Sequence, residues 1–136
     1  MSERIVFSGT THNVSGRNGF ARSRDGILDL KLPEPHPAAE NLFGAAWSGC
    51  YMGAIQLAAS QRKIRLPADL AVDATIDLVL DKGNYFLRAD LKVSVPGIER
   101  ETAEELIEAA HLICPYSKAV HGNINVTTTL VEEALV

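Results

Sequence analysis

The 136-residue chain lacks an excess of positive charge: 13 Lys and Arg stand against 17 Asp and Glu, a formal net charge of −4. Neutralising phosphates takes a clustered surplus of basic side chains, so nucleic acid is not expected as a partner. The one basic cluster, Arg62-Lys63-Ile64-Arg65, reads as the solvated end of a helix. Cysteine is scarce too. Two residues, Cys50 and Cys114, are too few for the disulfide framework of a small secreted domain. The opening Met1-Ser2-Glu3-Arg4 has none of the apolar core of a signal peptide. A cytoplasmic location is therefore expected, where a disulfide would be transient and catalytic rather than structural. A membrane span is not expected either. Asn41 to Ser60 carries no charge, but Asn41, Ser48, Gln56, Ser60 and three glycines dilute it. A spanning helix wants about 20 predominantly apolar residues, so this stretch reads as a buried core helix. Internal repeats and long linkers are also missing, which leaves a single domain over 1–136.

What is present is a clear alternation of strands and helices. Arg4 to Val14 mixes β-branched residues with Ser and Thr, Ser15-Gly16-Arg17-Asn18-Gly19 is a permissive turn, and Asp25-Gly26 marks a hairpin into Ile27–Leu32. Pro33, Pro35 and Pro37 end this meander, and a helix is predicted from Ala38 or Ala39 to about Arg62. Val72, Ala74, Ile76, Leu78 and Leu80 alternate with polar residues. After Asp81-Lys82-Gly83-Asn84 the alternation resumes through Val95. A second helix over Glu99 to Ile113 halts at Cys114-Pro115, because proline disfavours helical geometry in the residue before it. Ile124 to Leu130 is a last strand. The order βββ-α-ββ-α-β predicts an α+β fold with a long central helix. Leu42, Phe43, Trp47, Tyr51, Met52, Ile55 and Leu57 surround that helix, more apolar surface than a small two-layer domain can cover. With Gly44, Ala45, Ala46, Gly49, Gly53 and Ala54 permitting close approach, a homodimer is expected. The alternative is that sheets of the same chain cover both sides.

Several residues could carry chemistry. Cys50 lies mid-helix and Cys114 at a proline-stopped helix end. Buried free cysteines often only pack, and the spacing is not Cys-x-x-Cys, so any partnership between them must be made by the fold. His111 and Cys114, three apart, share a helix face and His121 follows seven residues later, but zinc sites show paired ligands twice over and here only one such pair exists; no metal is expected. His12 and His36 read as solvated. No nucleophile elbow frames either cysteine, and Gly16-Arg17-Asn18-Gly19 lacks the strand-turn-helix setting of a phosphate loop. Glu40 enters the uncharged helix at its first turn, where an acid suits the helix dipole, and Arg17 sits in the Gly-rich turn. On residue pattern alone these two read as a dipole partner and a solvated side chain.

The segment Cys114-Pro115-Tyr116-Ser117-Lys118-Ala119, followed by Gly122-Asn123-Ile124, resembles the second-cysteine motif of the OsmC/Ohr family. Glu40-Asn41-Leu42-Phe43-Gly44-Ala45-Ala46, then Cys50, is similar to that family's first-cysteine helix, and Val95-Pro96-Gly97-Ile98 and Gly16-Arg17 also fit. The Cys-Pro-Tyr-Ser form is nearer the organic hydroperoxide resistance branch. The chain departs from that branch in Pro37-Ala38-Ala39-Glu40-Asn41, in the short Leu32–His36 loop, and in His121, where an arginine is common.

The resemblance implies an intertwined dimer that reduces alkyl or fatty-acid hydroperoxides without a cofactor. By that reading Cys50 is the peroxidatic thiol and Cys114 the resolving one, and Arg17 and Glu40 form the polar pair that activates Cys50. A free thiol with pKa about 8.5 is only a few per cent ionised at neutral pH. Lowering it by two units takes about 2.7 kcal/mol of thiolate stabilisation. Phe43, Trp47, Tyr51 and Met52 would line an apolar substrate site. A dithiol would reduce the disulfide, and lipoylated protein is the donor the family is associated with. The competing reading is a non-enzymatic OsmC-like stress or ligand-binding protein whose cysteines do not cycle. Along an unbroken helix Glu40 and Cys50 lie about 15 Å and about 80° apart. Glu40 is therefore expected either to serve a partner subunit's Cys50 or to be brought near by a helix break.

Overall fold

The computed structural model describes residues 2–36 and 38–132. Pro37, on which part of the departing motif falls, lies outside them. Two compact units divide the chain, residues 1–39 and 40–136.

The first unit is an antiparallel meander of β1 (Thr11–Val14), β2 (Phe20–Ser23) and β3 (Asp29–Lys31) in the order β1-β2-β3. The strand expected from Arg4 is shorter than its sequence suggests. Residues 4–9 carry no strand, the Thr10 carbonyl accepts from the Arg24 amide (3.0 Å) just ahead of β1, and Ile5, Val6 and Phe7 are 82, 87 and 80% exposed. The β2–β3 turn forms because the Asp25 carboxylate accepts from Ser23 Oγ (2.6 Å) and the Ile27 amide (3.0 Å). Those bonds hold its pKa below the usual carboxylate range. In the β1–β2 turn the Gly16 carbonyl accepts from the amides of Gly19 (2.9 Å) and Glu34 (3.1 Å). A Cβ at Gly19 would overlap the Leu32 carbonyl oxygen, so only glycine fits there.

The second unit opens with α1 (Ala39–Gln61). Its end is a Schellman turn: the Ile64 amide reaches the Ala59 carbonyl (2.9 Å) and the Lys63 amide that of Ser60 (3.1 Å), with Lys63 at φ 57°. Arg62 Nη1 adds a bond to the Ala58 carbonyl (3.2 Å), so one member of the basic cluster caps the helix. Next come β4 (Ala71–Asp81) and β5 (Asn84–Ser94), joined by Lys82-Gly83 at φ 52° and 80°, the left-handed pair that a two-residue hairpin demands. Then α2 (Arg100–Ile113) and a short α3 (Pro115–Val120) lead to β6 (Asn125–Val131). β6 pairs in parallel with β5, giving the order β4-β5-β6. A parallel neighbour needs a crossover, which α2 and α3 supply. The sequence reading of one helix before β6 thus becomes two, because Pro115 both ends α2 and starts α3 at a position that needs no amide proton.

β5 is the central strand and alternates buried Ala89, Leu91 and Val93 with polar neighbours. Trp47, Tyr51 and Ile55 from α1 and Ala103, Ile107 and Ala110 from α2 pack on that face. Each fully buried large side chain contributes about 1.5–3 kcal/mol. Gly44 lets α1 sit down on β4, since an added Cβ would be 3.3 Å from Ile76 Cγ1 and 3.5 Å from Ala74 Cβ. The buried face of α1 is Gly44, Trp47, Ser48, Tyr51, Ala54, Ile55, Ala58 and Ala59. Its other face, with Ala45, Ala46, Gly49, Gly53 and Leu57, is exposed in the single chain. No helix among the described residues is long and apolar enough to cross a membrane.

Candidate active site

The α1 helix carries Cys50 half-buried on the edge of its packed face, one turn beyond Trp47. Cys114 is fixed by the proline that follows it. Pro115 forces Cys114 into an extended conformation (φ −65°, ψ 118°) while the Cys114 amide still closes α2 on the Ala110 carbonyl (2.8 Å). The same residue is the N-cap of α3, and its Sγ accepts from the Ser117 amide at 3.5 Å. This geometry aims a fully buried thiol at α1. Cys114 Sγ donates to Cys50 Sγ at 3.3 Å, across 64 residues of chain. Both are free thiols. A disulfide is about 2.05 Å long, so closing the pair needs a sulfur shift of little more than 1 Å.

The surroundings of Cys50 within its own unit disfavour its thiolate. Burial pushes its pKa up, the hydrogen bond with Cys114 adds to that, and the Tyr116 amide only partly opposes them. None of these influences is a cation.

Beside the sulfurs runs a polar chain, buried at Trp47 and Ser117 and half-buried at His111 and Thr128. Trp47 Nε1–H donates to Ser117 Oγ (3.0 Å), Ser117 Oγ bonds His111 Nδ1 (2.7 Å), and His111 Nε2 bonds Thr128 Oγ1 on β6 (2.8 Å). Tyr51 stacks on the His111 ring, centroids 4.4 Å apart, and its hydroxyl donates to the Ile107 carbonyl (2.8 Å). Burial holds His111 below its ordinary pKa and pushes Tyr51 above its own. Both ring nitrogens of His111 are thus engaged by hydroxyls. No group of three or more potential ligands gathers among the described residues. Trp47, His111 and Ser117 also line one wall of a groove of about 940 Å³ that Leu112, Lys118 and Val126 help to frame.

Of the residues singled out in the sequence, Cys50, Cys114 and Trp47 come together. Phe43 packs edge-on to Trp47, centroids 5.7 Å apart. Trp47 and Tyr51 are buried, with their polar atoms engaged inside the core. Met52 is half-buried, about 200° around α1 from Cys50, on a different side of the helix. Glu40 occupies the first turn of an α1 that runs without a break to Gln61, which leaves it about 15 Å along the axis from Cys50 of the same chain. Arg17 belongs to the other unit, exposed on the β1–β2 turn. Sequence reasoning missed Ser117 and Thr128 and treated His111 only as a possible ligand. The available signal was the spacing of His111, Cys114 and Ser117, three residues apart each time around a helix-breaking proline.

The sequence profile described as OsmC-like protein matches residues 32–129. The chain is 33% identical over 137 residues to the organic hydroperoxide resistance protein of Xanthomonas axonopodis pv. citri, covering 94% of this chain and 96% of that one. It is 34% identical over 135 residues to the organic hydroperoxide resistance protein OhrB of Bacillus subtilis, covering 92% and 98%. Among solved structures, OhrB of Bacillus subtilis superposes with a TM-score of 0.81 at 32% identity, over 93% of this chain and all of that one. An organic hydroperoxide resistance protein from Elizabethkingia anophelis, with thiocyanate bound, gives a TM-score of 0.85 at 30% identity, over 96% and 100%.

Proposed function

Because the chain belongs to the OsmC-like protein family, with relatives named organic hydroperoxide resistance proteins along nearly its whole length, we propose that it detoxifies organic hydroperoxides as a dithiol-dependent peroxidase. The observation that carries this reading is the 3.3 Å contact between Cys50 and Cys114. The Cys50 thiolate attacks the peroxide oxygen, the O–O bond breaks, and the alkoxide leaves as alcohol after taking a proton. Cys50 is then a sulfenic acid. Cys114 sulfur attacks the Cys50 sulfur, and the hydroxyl leaves as water with the thiol proton, forming the disulfide. A dithiol, of the lipoylated-protein kind, returns both thiols by exchange.

Burial and the Cys114 hydrogen bond disfavour the Cys50 thiolate, and this reading assigns an activating cation to offset them. Arg17 fills that role, with Glu40 orienting its guanidinium. The unbroken α1 removes the helix-break option and favours Glu40 acting on the Cys50 of a second subunit. The exposed small-residue face of α1 and the exposed Ile5-Val6-Phe7 suit an intertwined homodimer. Phe43 and the Trp47 ring it packs on give the Cys50 side of α1 its apolar character and favour alkyl or fatty-acid hydroperoxides over hydrogen peroxide, while Met52 and Tyr51 face away from that side or into the core. Turnover with an alkyl hydroperoxide and dihydrolipoamide tests the reading. Consumption of peroxide that Cys50→Ser abolishes supports it, and equal consumption by both proteins refutes it.

A further inference from the structure

Joining the sulfenic acid of Cys50 to Cys114 is a reaction between two protein sulfurs, so its rate depends on how firmly the elements carrying them are held. Those elements are tied at Ser117. Its Oγ accepts from Trp47, one turn before Cys50 on α1, and bonds His111, one turn before Cys114 on α2. Its amide donates to Cys114 Sγ itself. His111 is fixed in turn by Thr128 from β6 and by stacking on Tyr51, the residue after Cys50. A hydroxyl offers one proton and two lone pairs. Because the indole N–H can only donate, Ser117 accepts from Trp47 and is free to donate to His111 Nδ1, leaving His111 Nε2–H for Thr128. That proton order satisfies the bonds to Trp47, His111 and Thr128.

We propose that Ser117, buttressed by His111, is a positioning residue for the resolving step, holding Cys114 Sγ against Cys50 once Cys50 is oxidised and taking no part in the first oxidation. The inference rests on the redox reading above. The step it serves is Cys50–SOH plus Cys114–SH giving Cys50–S–S–Cys114 and water. Ser117 neither gains nor loses a proton overall. A misplacement of about 1 Å between reacting groups can cost about 100-fold in rate, which sets the scale of the defect.

The test is single-turnover oxidation of the reduced protein by tert-butyl hydroperoxide. Sulfenic acid is trapped with dimedone, and disulfide is followed by free-thiol loss. Ser117→Ala is expected to form sulfenic acid within about twofold of the wild-type rate and to form disulfide about 10–100-fold more slowly. Under excess peroxide it accumulates sulfinic acid. Ser117→Thr keeps the hydroxyl and restores resolution. His111→Phe keeps the stack on Tyr51, loses the bond to Ser117, and shows the same selective defect. Wild-type resolution in Ser117→Ala, or equal slowing of both steps, overturns the inference, as does failure of both the Ala and the Phe variants to fold. Survival of both wild-type thiols after the hydroperoxide overturns the peroxidase reading, and this inference with it.

Discussion

Replacing Ser117 by Ala and Trp47 by Phe, singly and together, measures the bond that ties α1 to α3 across the thiol pair. In the single Ser117→Ala variant the Trp47 indole N–H loses its acceptor in a fully buried setting, and His111 Nδ1 loses its partner in a half-buried one. An orphaned buried polar group costs about 1–3 kcal/mol. Water can reach part of the His111 ring, so the sum is about 2–4 kcal/mol, a large share of the 5–15 kcal/mol typical of a domain. Trp47→Phe alone loses one hydrogen bond and part of a ring, about 2 kcal/mol, and leaves Ser117 still bonded to His111. In the double variant the Phe substitution removes an orphan instead of breaking a bond. Its cost falls to about 1 kcal/mol or less, a coupling of about 1–2 kcal/mol. Urea unfolding of the fully reduced protein gives all four values by linear extrapolation. One protein concentration is kept throughout, because association shifts apparent stability. Additivity within about 0.5 kcal/mol would refute the reasoning.

Three further outcomes follow from the same geometry. His111 is held below its ordinary value of 6.5, so the unfolded chain takes up that proton first as the pH falls. Its stability contribution is therefore present above about pH 6.5 and declines below it, with a slope of up to about 1.4 kcal/mol per pH unit that His111→Phe removes; an unchanged slope in urea midpoints against pH contradicts this. Gly53→Leu meets nothing within 4 Å in the single chain, so the helix keeps its fold while light scattering shows a shift from dimer to monomer; an intact dimer argues against α1 as the interface. Gly19→Ala presses a methyl group on the Leu32 and Val14 carbonyls that pin the Arg17 turn, and should slow Cys50 oxidation at least about tenfold; wild-type oxidation removes Arg17 from the site.

Much of the architecture could be read from pattern alone, since the elements obey local rules. The bounds of α1 follow from three prolines before it and a basic cluster after it. The β4–β5 turn follows from Lys82-Gly83, whose backbone the hairpin dictates. What pattern could not give is partnership between distant segments. Parallel pairing of β6 with β5 depends on a crossover, and where β1 begins depends on which of residues 4–14 finds β2 beside it. In the site, Cys50 and Cys114 could be named as candidates, but their contact is made by Pro115 turning one sulfur toward α1. Thr128 carries no signal of its own and Ser117 only its spacing from His111 and Cys114, because a hydroxyl in a helix or strand is common and its value lies in the groups it meets. Trp47 and Tyr51 stand out in sequence as apolar; only the fold shows their polar atoms tied to Ser117 and Ile107.

The central claim is that Cys50 and Cys114 are one redox pair driven by organic hydroperoxide. One equivalent of tert-butyl hydroperoxide, added to the reduced native protein, with free thiols counted and the intact mass read, tests it most directly. The account predicts loss of both thiols and a chain lighter by two hydrogens, with Cys50→Ser keeping its remaining thiol. Two thiols still titrating after the peroxide has been offered would contradict it.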